Sequence, residues 1–216
     1  MSTNTSSVFL STSANLIFPL YLLISTIDGI SFTFNATGEG KKLNPLKMII
    51  GFPRPIQLKR LLRDIAALGV CEVHLTGTEL GEKSYMQSNL VERGSAYKML
   101  LDGTVQAGST HVPELFLHKT LQECLSSVCG DVLLALDNIR PACSLNEASK
   151  NIADNNADVK NVVAAIGSER GWTDKERTIL ENAGYIRCGM GERIMRTETA
   201  ATVAGSIILN NLGYLG

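Results

Sequence analysis

One unbroken apolar run, Val132–Leu136 (VLLAL), held between Asp131 and Asp137, constrains this chain more than any other stretch. A strand with no polar alternation is buried on both faces, which calls for a mostly parallel sheet with layers on either side. The flanking segments supply the rest of such a sheet. Residues 46–51 (LKMIIG), 70–75, 114–117, 161–166 (NVVAAI) and 185–188 read as further strands. Between them lie helical stretches. Pro55 suits a first helical turn, where its missing N–H costs nothing. Leu58, Leu61, Leu62, Ile65 and Leu68 then fall on one face, and Gly69 is placed to stop the helix. A longer helix is expected over 92–105, and Thr120 reads as the N-cap of one over 121–128. Thr173 with Glu176 forms a capping box, opening a helix that Gly184 ends. An apolar helix over 197–210 closes the chain, and the polar stretch 151–158 reads as a surface loop. Strands alternating with helices define an α/β chain.

The 216 residues suffice for one substantial domain with a small appendage. A net charge of −1 carries no global nucleic-acid signature, but its distribution does. No Lys or Arg precedes Lys41; then Lys41, Lys42, Lys47, Arg54, Lys59, Arg60 and Arg63 arrive before the acid Asp64. A one-sign patch of this kind attracts phosphates even on a neutral chain. The five cysteines show no CxxC spacing and no His at a metal-ligand interval, so they read as reduced thiols and no metal is expected. His74, His111 and His118 are scattered and read as surface or satisfied core residues. The apolar stretch 16–24 (LIFPLYLLI) has no positive flank and is broken by Pro19. It reads as a strand-forming or poorly structured N-terminus, with no membrane role.

Ligands of parallel α/β sheets bind at the carboxyl ends of the strands. Three such ends carry loop-like composition: Leu136-Asp137-Asn138, residues 167–172 and residues 189–196. None has the glycine spacing of a dinucleotide fold or a P-loop.

The segment 165–209, AIGSERGWTDKERTILENAGYIRCGMGERIMRTETAATVAGSIIL, resembles the C-terminal signature of the bacterial small-subunit rRNA uracil-N3 methyltransferases. That family belongs to the trefoil-knot, or SPOUT, class. Its pattern is IGPEGG[FW][ST], a strand, then LGxRILRTETA. Ile166, Gly167, Glu169, Gly171, Trp172 and Thr173 match the first motif. Gly191, Arg193, Ile194, Arg196, Thr197, Glu198, Thr199 and Ala200 match the second, with Met190 and Met195 in place of Leu. Two departures stand out: Ser168 replaces Pro and Arg170 replaces the second Gly. A weaker similarity runs from Leu46 to the C-terminus.

The resemblance implies a SPOUT-type sheet flanked by helices with a C-terminal trefoil knot. It implies S-adenosyl-L-methionine as cofactor, held by Leu136, Ile166, Gly167, Glu169, Gly171, Met190, Gly191, Ile194, Met195 and Thr197. Ile194 and Met195 would wall the adenine. Arg196 and Glu198 become the catalytic candidates, the first for a uracil anion or a phosphate, the second as a base or a helix N-terminal acid. Arg54, Arg60, Arg63 and Arg170 are the candidate RNA contacts. The family's members carry a PUA-like β-barrel first, so residues 1–45 read as a remnant of it and 46–216 as the methyltransferase domain. The implied activity is methylation of a uridine N3 in 16S ribosomal RNA by a cytoplasmic homodimer. The alternative is a non-catalytic or retargeted RNA-binding paralogue. Ala200, Val203, Ala204, Ile207 and Ile208 form an apolar face that suits a dimer interface or an intramolecular core equally.

Overall fold

The computed structural model describes residues 16–17, 20–26, 29–34, 38–86, 93–155 and 159–215. The N-terminal part contains four short strands, β1 (Leu16–Ile17), β2 (Leu20–Thr26), β3 (Gly29–Phe34) and β4 (Gly38–Glu39). β2 and β3 pair as an antiparallel hairpin, and β1 pairs with β4. The strand-forming reading of this apolar stretch therefore holds where the chain is described.

The remainder runs β5 (Asn44–Gly51), α1 (Pro55–Ala67), β6 (Val70–Thr76), α2 (Lys83–Met86), α3 (Arg93–Gln106), β7 (Glu114–His118), α4 (Leu121–Ser127) and β8 (Val132–Leu136). It continues through β9 (Cys143–Ser144), α5 (Leu145–Asn155), β10 (Val162–Ile166), α6 (Asp174–Asn182), β11 (Ile186–Gly189) and α7 (Thr197–Asn211). The expected helix start at Glu92 lies outside the described residues. Strands β5 to β11 form one parallel sheet of seven, in the order β7-β6-β5-β10-β8-β11-β9.

The central strand β10 explains the unbroken apolar runs. Val162, Ala164 and Ile166 point into one core, with α1 and α7 above them. Val163 and Ala165 point into a second core that holds Leu121, Cys124, Trp172 and Leu180. Both faces of the sheet are covered, so no position of this strand tolerates a polar residue. Helix α1 starts at Pro55 and buries Leu58, Leu61, Leu62 and Ile65, the stripe its spacing foretold. Truncating one such leucine to alanine costs about 2–5 kcal/mol.

Two sequence expectations need correction. Most of the polar stretch 151–158 is not a loop: residues up to Asn155 continue α5, and 156–158 lie outside the described residues. Leu145, Ala148 and Ile152 pack this helix on the larger core, while Ser149 is buried and donates its hydroxyl to the Leu145 carbonyl. Within 151–158 only Ile152 belongs to this stripe, so the helical spacing that begins at Leu145 is not visible in the polar stretch taken alone. The strand expected over 185–188 is shifted by one, because the Tyr185 ring packs in the second core below α6.

The sheet order also creates an unusual connection. β8 and β9 are joined by residues 137–142, yet β11 lies between them. The Asp137 N–H donates to the Cys188 carbonyl, and the Ala142 N–H donates to the Arg187 carbonyl. The two ends of one short arch thus grip opposite edges of the same strand. Beyond that strand, α7 lies against α1, α5, β5 and β10. Its Ala200, Ala204 and Ile208 enter the chain's own core, whereas Val203 and Ile207 stay half-buried.

The capping box at α6 is present in both directions. Thr173 Oγ1 accepts from the Glu176 N–H at 3.1 Å, and Glu176 Oε2 accepts from the Thr173 N–H at 2.9 Å. Glu176 is also buried, and its Oε1 accepts from the Glu79 N–H at 2.8 Å, tying the β6–α2 loop to α6. Thr173→Ala should cost about 1 kcal/mol, the usual value of a cap. Glu176→Ala should cost more, since it strands two N–H donors. Urea unfolding of both variants checks the order.

Candidate active site

Three loops meet at the carboxyl ends of β8, β10 and β11. Together they line a cleft of about 220 Å³. The first is the arch after Leu136, the second spans 167–172, and the third spans 190–196. Each is positioned by a specific bond. Trp172 is buried, and its Nε1–H donates to the Leu136 carbonyl at 3.0 Å, which pins the second loop on the first. Thr197 Oγ1 donates to the Gly167 carbonyl at 3.3 Å, which pins the start of α7 on the second. Two glycines make the turns possible. Gly171 and Gly191 adopt φ of 72° and 98°, a region that a side chain disfavours.

The cleft walls are partly apolar. Leu136, Ile166, Met190, Ile194 and Met195 line it, and Ile194 stands 81% exposed at the rim. Burial raises the Cys188 thiol well above its usual range, and Cys143 Sγ lies 3.8 Å away, so Cys188 meets the cleft as a neutral group. All ten residues expected to hold a cofactor line this one cleft: Leu136, Ile166, Gly167, Glu169, Gly171, Met190, Gly191, Ile194, Met195 and Thr197.

The polar candidates fall less evenly. Arg196 is the exposed N-cap residue of α7 and makes no side-chain cap. Glu198 lies in the first turn, with its Oε2 buried and without a hydrogen-bond partner among the described residues. Ser168 Oγ, on the cleft wall, is buried and unpartnered in the same sense, as is Thr78 Oγ1. Of the three, Ser168 lines the cleft, where water or a bound molecule can complete its hydrogen bonding. Arg54 precedes α1 at the sheet's carboxyl end; Tyr85 and Glu169 hold it, the latter at 3.1 Å, and both raise its pKa. Arg170 lines the cleft, but its guanidinium reaches out to Glu82 at 3.6 Å and is 68% exposed. Arg60 is exposed on α1. Arg63, two and a half turns along α1 from Arg54, is committed to Asp102 on α3 at 2.9 Å and stands apart from the cleft.

In the sequence Asp137 stands out only as the acid that ends a strand and opens a strand-end loop. Its carboxylate is 1% exposed and accepts from Arg177 Nε at 2.7 Å and Arg187 Nη1 at 3.3 Å, while its Oδ1 accepts from the Ile139 N–H at 3.1 Å. Arg177 bonds Asp174 in addition, and Arg187 bonds Glu181. The bond to Asp137 raises the Arg177 pKa further, so this guanidinium stays charged although it is nearly buried. An acid closing an apolar strand was the available signal; its two partners, 40 and 50 residues away, were not visible.

Fold and cleft define a parallel α/β protein with a ligand site built from strand-end loops. The chain belongs to the RNA methyltransferase family: the model of the RNA methyltransferase domain matches residues 40–209. It is 40% identical over 179 residues to ribosomal RNA small subunit methyltransferase E of Treponema pallidum, a match covering 80% of this chain and 65% of that protein. Ribosomal RNA small subunit methyltransferase E 1 of Borreliella burgdorferi is 33% identical over 172 residues, covering 79% of this chain and 69% of its own. A Legionella pneumophila protein solved with the bound cofactor SAM superposes with a TM-score of 0.75 at 19% identity, covering 91% of this chain and 79% of its own. A Neisseria gonorrhoeae ribosomal RNA small subunit methyltransferase E bound to S-adenosyl methionine gives 0.70 at 20% identity, covering 87% and 76%. The mostly parallel sheet flanked by helices expected from the sequence is thus the observed one.

Asp137→Ala leaves the nearly buried Arg177 and the half-buried Arg187 without their shared anion, so unfolding should lose about 3–5 kcal/mol. Denaturant unfolding tests this. Native-state alkylation at pH 8 should label the exposed Cys129 first and Cys188 only after unfolding, which peptide mass spectrometry resolves.

Proposed function

We propose that this chain is an S-adenosyl-L-methionine-dependent methyltransferase acting on a uridine N3 of small-subunit ribosomal RNA. One observation carries the reading: the loops around Gly167 and Gly191 lie side by side, joined through Thr197, and present main-chain atoms between apolar walls. That surface fits an adenosyl body. The two SAM-bound structural neighbours and the names of the two sequence relatives support the same ligand and the same RNA.

The bound cofactor supplies a methyl group already activated by its sulfonium. The protein's part is placement and proton removal. Ile166, Gly167, Met190 and Gly191 hold the adenine edge through backbone groups; Leu136, Ile194 and Met195 wall it; Glu169, Gly171 and Thr197 keep the loops in shape. Glu198, half-buried in the first turn of α7, takes the N3 proton. Arg196, one turn-start away, stabilises the uracil anion. Arg54, Arg60, Arg63 and Arg170 meet the phosphates, the exposed pairs of Arg54 with Glu169 and of Arg63 with Asp102 both being open to exchange.

Further parts of the reading rest on the same family. Residues 1–45 are what this chain has of a PUA-like barrel, and 46–216 form the methyltransferase domain. The segment after β11 passes through the 137–142 arch as a trefoil knot, a reading supported by the grip of that arch on both edges of β11. Two copies pair through α7, with Val203 and Ile207 the apolar residues it has left to offer. The enzyme works in the cytoplasm; among the described residues, no helix is long and apolar enough to cross a membrane.

Calorimetry with S-adenosyl-L-methionine, followed by methyl transfer to a 16S rRNA fragment, tests the assignment. Stoichiometric binding and formation of N3-methyluridine are expected. Binding without transfer would favour the non-catalytic paralogue, and no binding would end the proposal. Glu198→Gln and Arg196→Ala should each leave cofactor binding unchanged and slow transfer by about 10²–10⁴.

A further inference from the structure

The three histidines are not all scattered. His74 on β6 and His118 on β7 are brought together below α4, with His74 Nδ1 and His118 Nε2 3.1 Å apart and the ring planes within 21°. Cys124 on α4 lies over them. One ligand atom from each of the three residues falls within 4.8 Å of the others. All three are buried, at 2%, 8% and 0% exposure. A 3.1 Å gap between imidazole nitrogens is close to the roughly 3.3 Å separation that two nitrogens take around a tetrahedral ion at about 2.0 Å.

The surroundings also suit a cation. His74 Nε2 lies 3.0 Å from Glu72 Oε2, the carboxylate–histidine pairing that fixes a metal ligand's tautomer and leaves Nδ1 facing the gap. Glu72 is in turn held by Lys47 at 2.8 Å. Phe116 stacks on the His74 ring at 4.6 Å between centroids and limits its rotation. The Tyr185 hydroxyl is buried without a hydrogen-bond partner among the described residues and interacts electrostatically with Cys124. The cluster is separate from the cleft: none of His74, His118 or Cys124 lines it.

We propose that His74, His118 and Cys124 form a zinc site that fastens α4 to strands β6 and β7, with Glu72 as the carboxylate that orients His74. Imidazole and thiolate ligands select a borderline-soft divalent ion over magnesium or calcium. Binding forms two metal–nitrogen bonds and one metal–sulfur bond. The Cys124 thiol proton leaves to solvent, and the proton now between the imidazoles moves to the other nitrogen of His118. The fourth position of the tetrahedron is taken by an exogenous ligand entering past His118, the least buried of the three. The site matters because α4 is only seven residues long, too short to hold its own conformation, and buries just Leu121 and Cys124. A metal cross-link from its centre to two strands supplies what its packing lacks.

The full-length chain, stripped with chelator, is titrated with Zn(II) by calorimetry and with Co(II) by absorption. One equivalent is expected, with a sulfur-to-cobalt charge-transfer band. Cys124→Ser should abolish that band, His118→Gln should lose stoichiometric binding, and Glu72→Gln should weaken affinity about 10–100-fold. Cys129→Ser should change nothing, since that thiol is exposed and outside the cluster. The proposal fails if the unmodified chain takes up no stoichiometric zinc. It fails equally if folded Cys124→Ser or His118→Gln, checked by circular dichroism, binds zinc as before. The wild-type titration decides the matter even where a variant does not fold.

Discussion

The buried carboxylate of Asp137 is the contact on which the cleft depends. It ends β8, receives Arg177 from α6 and Arg187 from β11, and accepts the N–H of Ile139 within its own arch. Three elements far apart in the chain are therefore referred to one anion. Its side chain is almost inaccessible, so the charges meet in a low-dielectric setting where their separation is costly. Because the arch also grips β11 through Asp137 and Ala142, the geometry of the first and third loops is set together.

The remaining loop is set from the other side. The Trp172 indole reaches the carbonyl of Leu136, immediately before Asp137, and the hydroxyl of Thr197 reaches Gly167. The cleft is thus built mainly from backbone and apolar walls, with few charged groups aimed inward. Such a surface recognises a neutral planar body by shape and main-chain hydrogen bonding. The charged candidates lie beside it: Arg196 is exposed and Glu198 half-buried at the start of α7, and Arg54 sits in a pair with Glu169 that solvent can reach. Surface pairs of that kind are weak, and an incoming phosphate can replace the carboxylate.

Legibility differed by the range of the interaction. The capping box of Thr173 and Glu176, the Pro55 start of α1 and the leucine stripe behind it could be read directly, because each depends on residues within four positions. The cleft residues were legible through two motifs, whose glycines, together with Trp172 and Thr197, occupy the positions that join the loops. Helix α5 was missed because its stripe of Leu145, Ala148 and Ile152 lies mostly before the polar stretch read as a loop. Arg63 pairs with Asp102 of α3 on a surface that solvent reaches, a partner 39 residues away that its place in the basic run does not reveal. Glu176 looked like a cap alone, and proved to hold the β6–α2 loop as well.

By itself the sequence determined where most of the strands and helices form, and that both sheet faces are covered, since periodicity and capping are local properties of the backbone. It could not determine which distant polar groups meet. His74 and His118 share a gap because β6 and β7 pair in register, with Thr76 opposite His118, and Cys124 joins them only when α4 folds over that edge. Arg177 and Arg187 reach Asp137 only because β11 inserts between β8 and β9. Strand order is settled by how whole layers pack, and no local pattern encodes it, so these buried polar clusters belong to the tertiary structure alone.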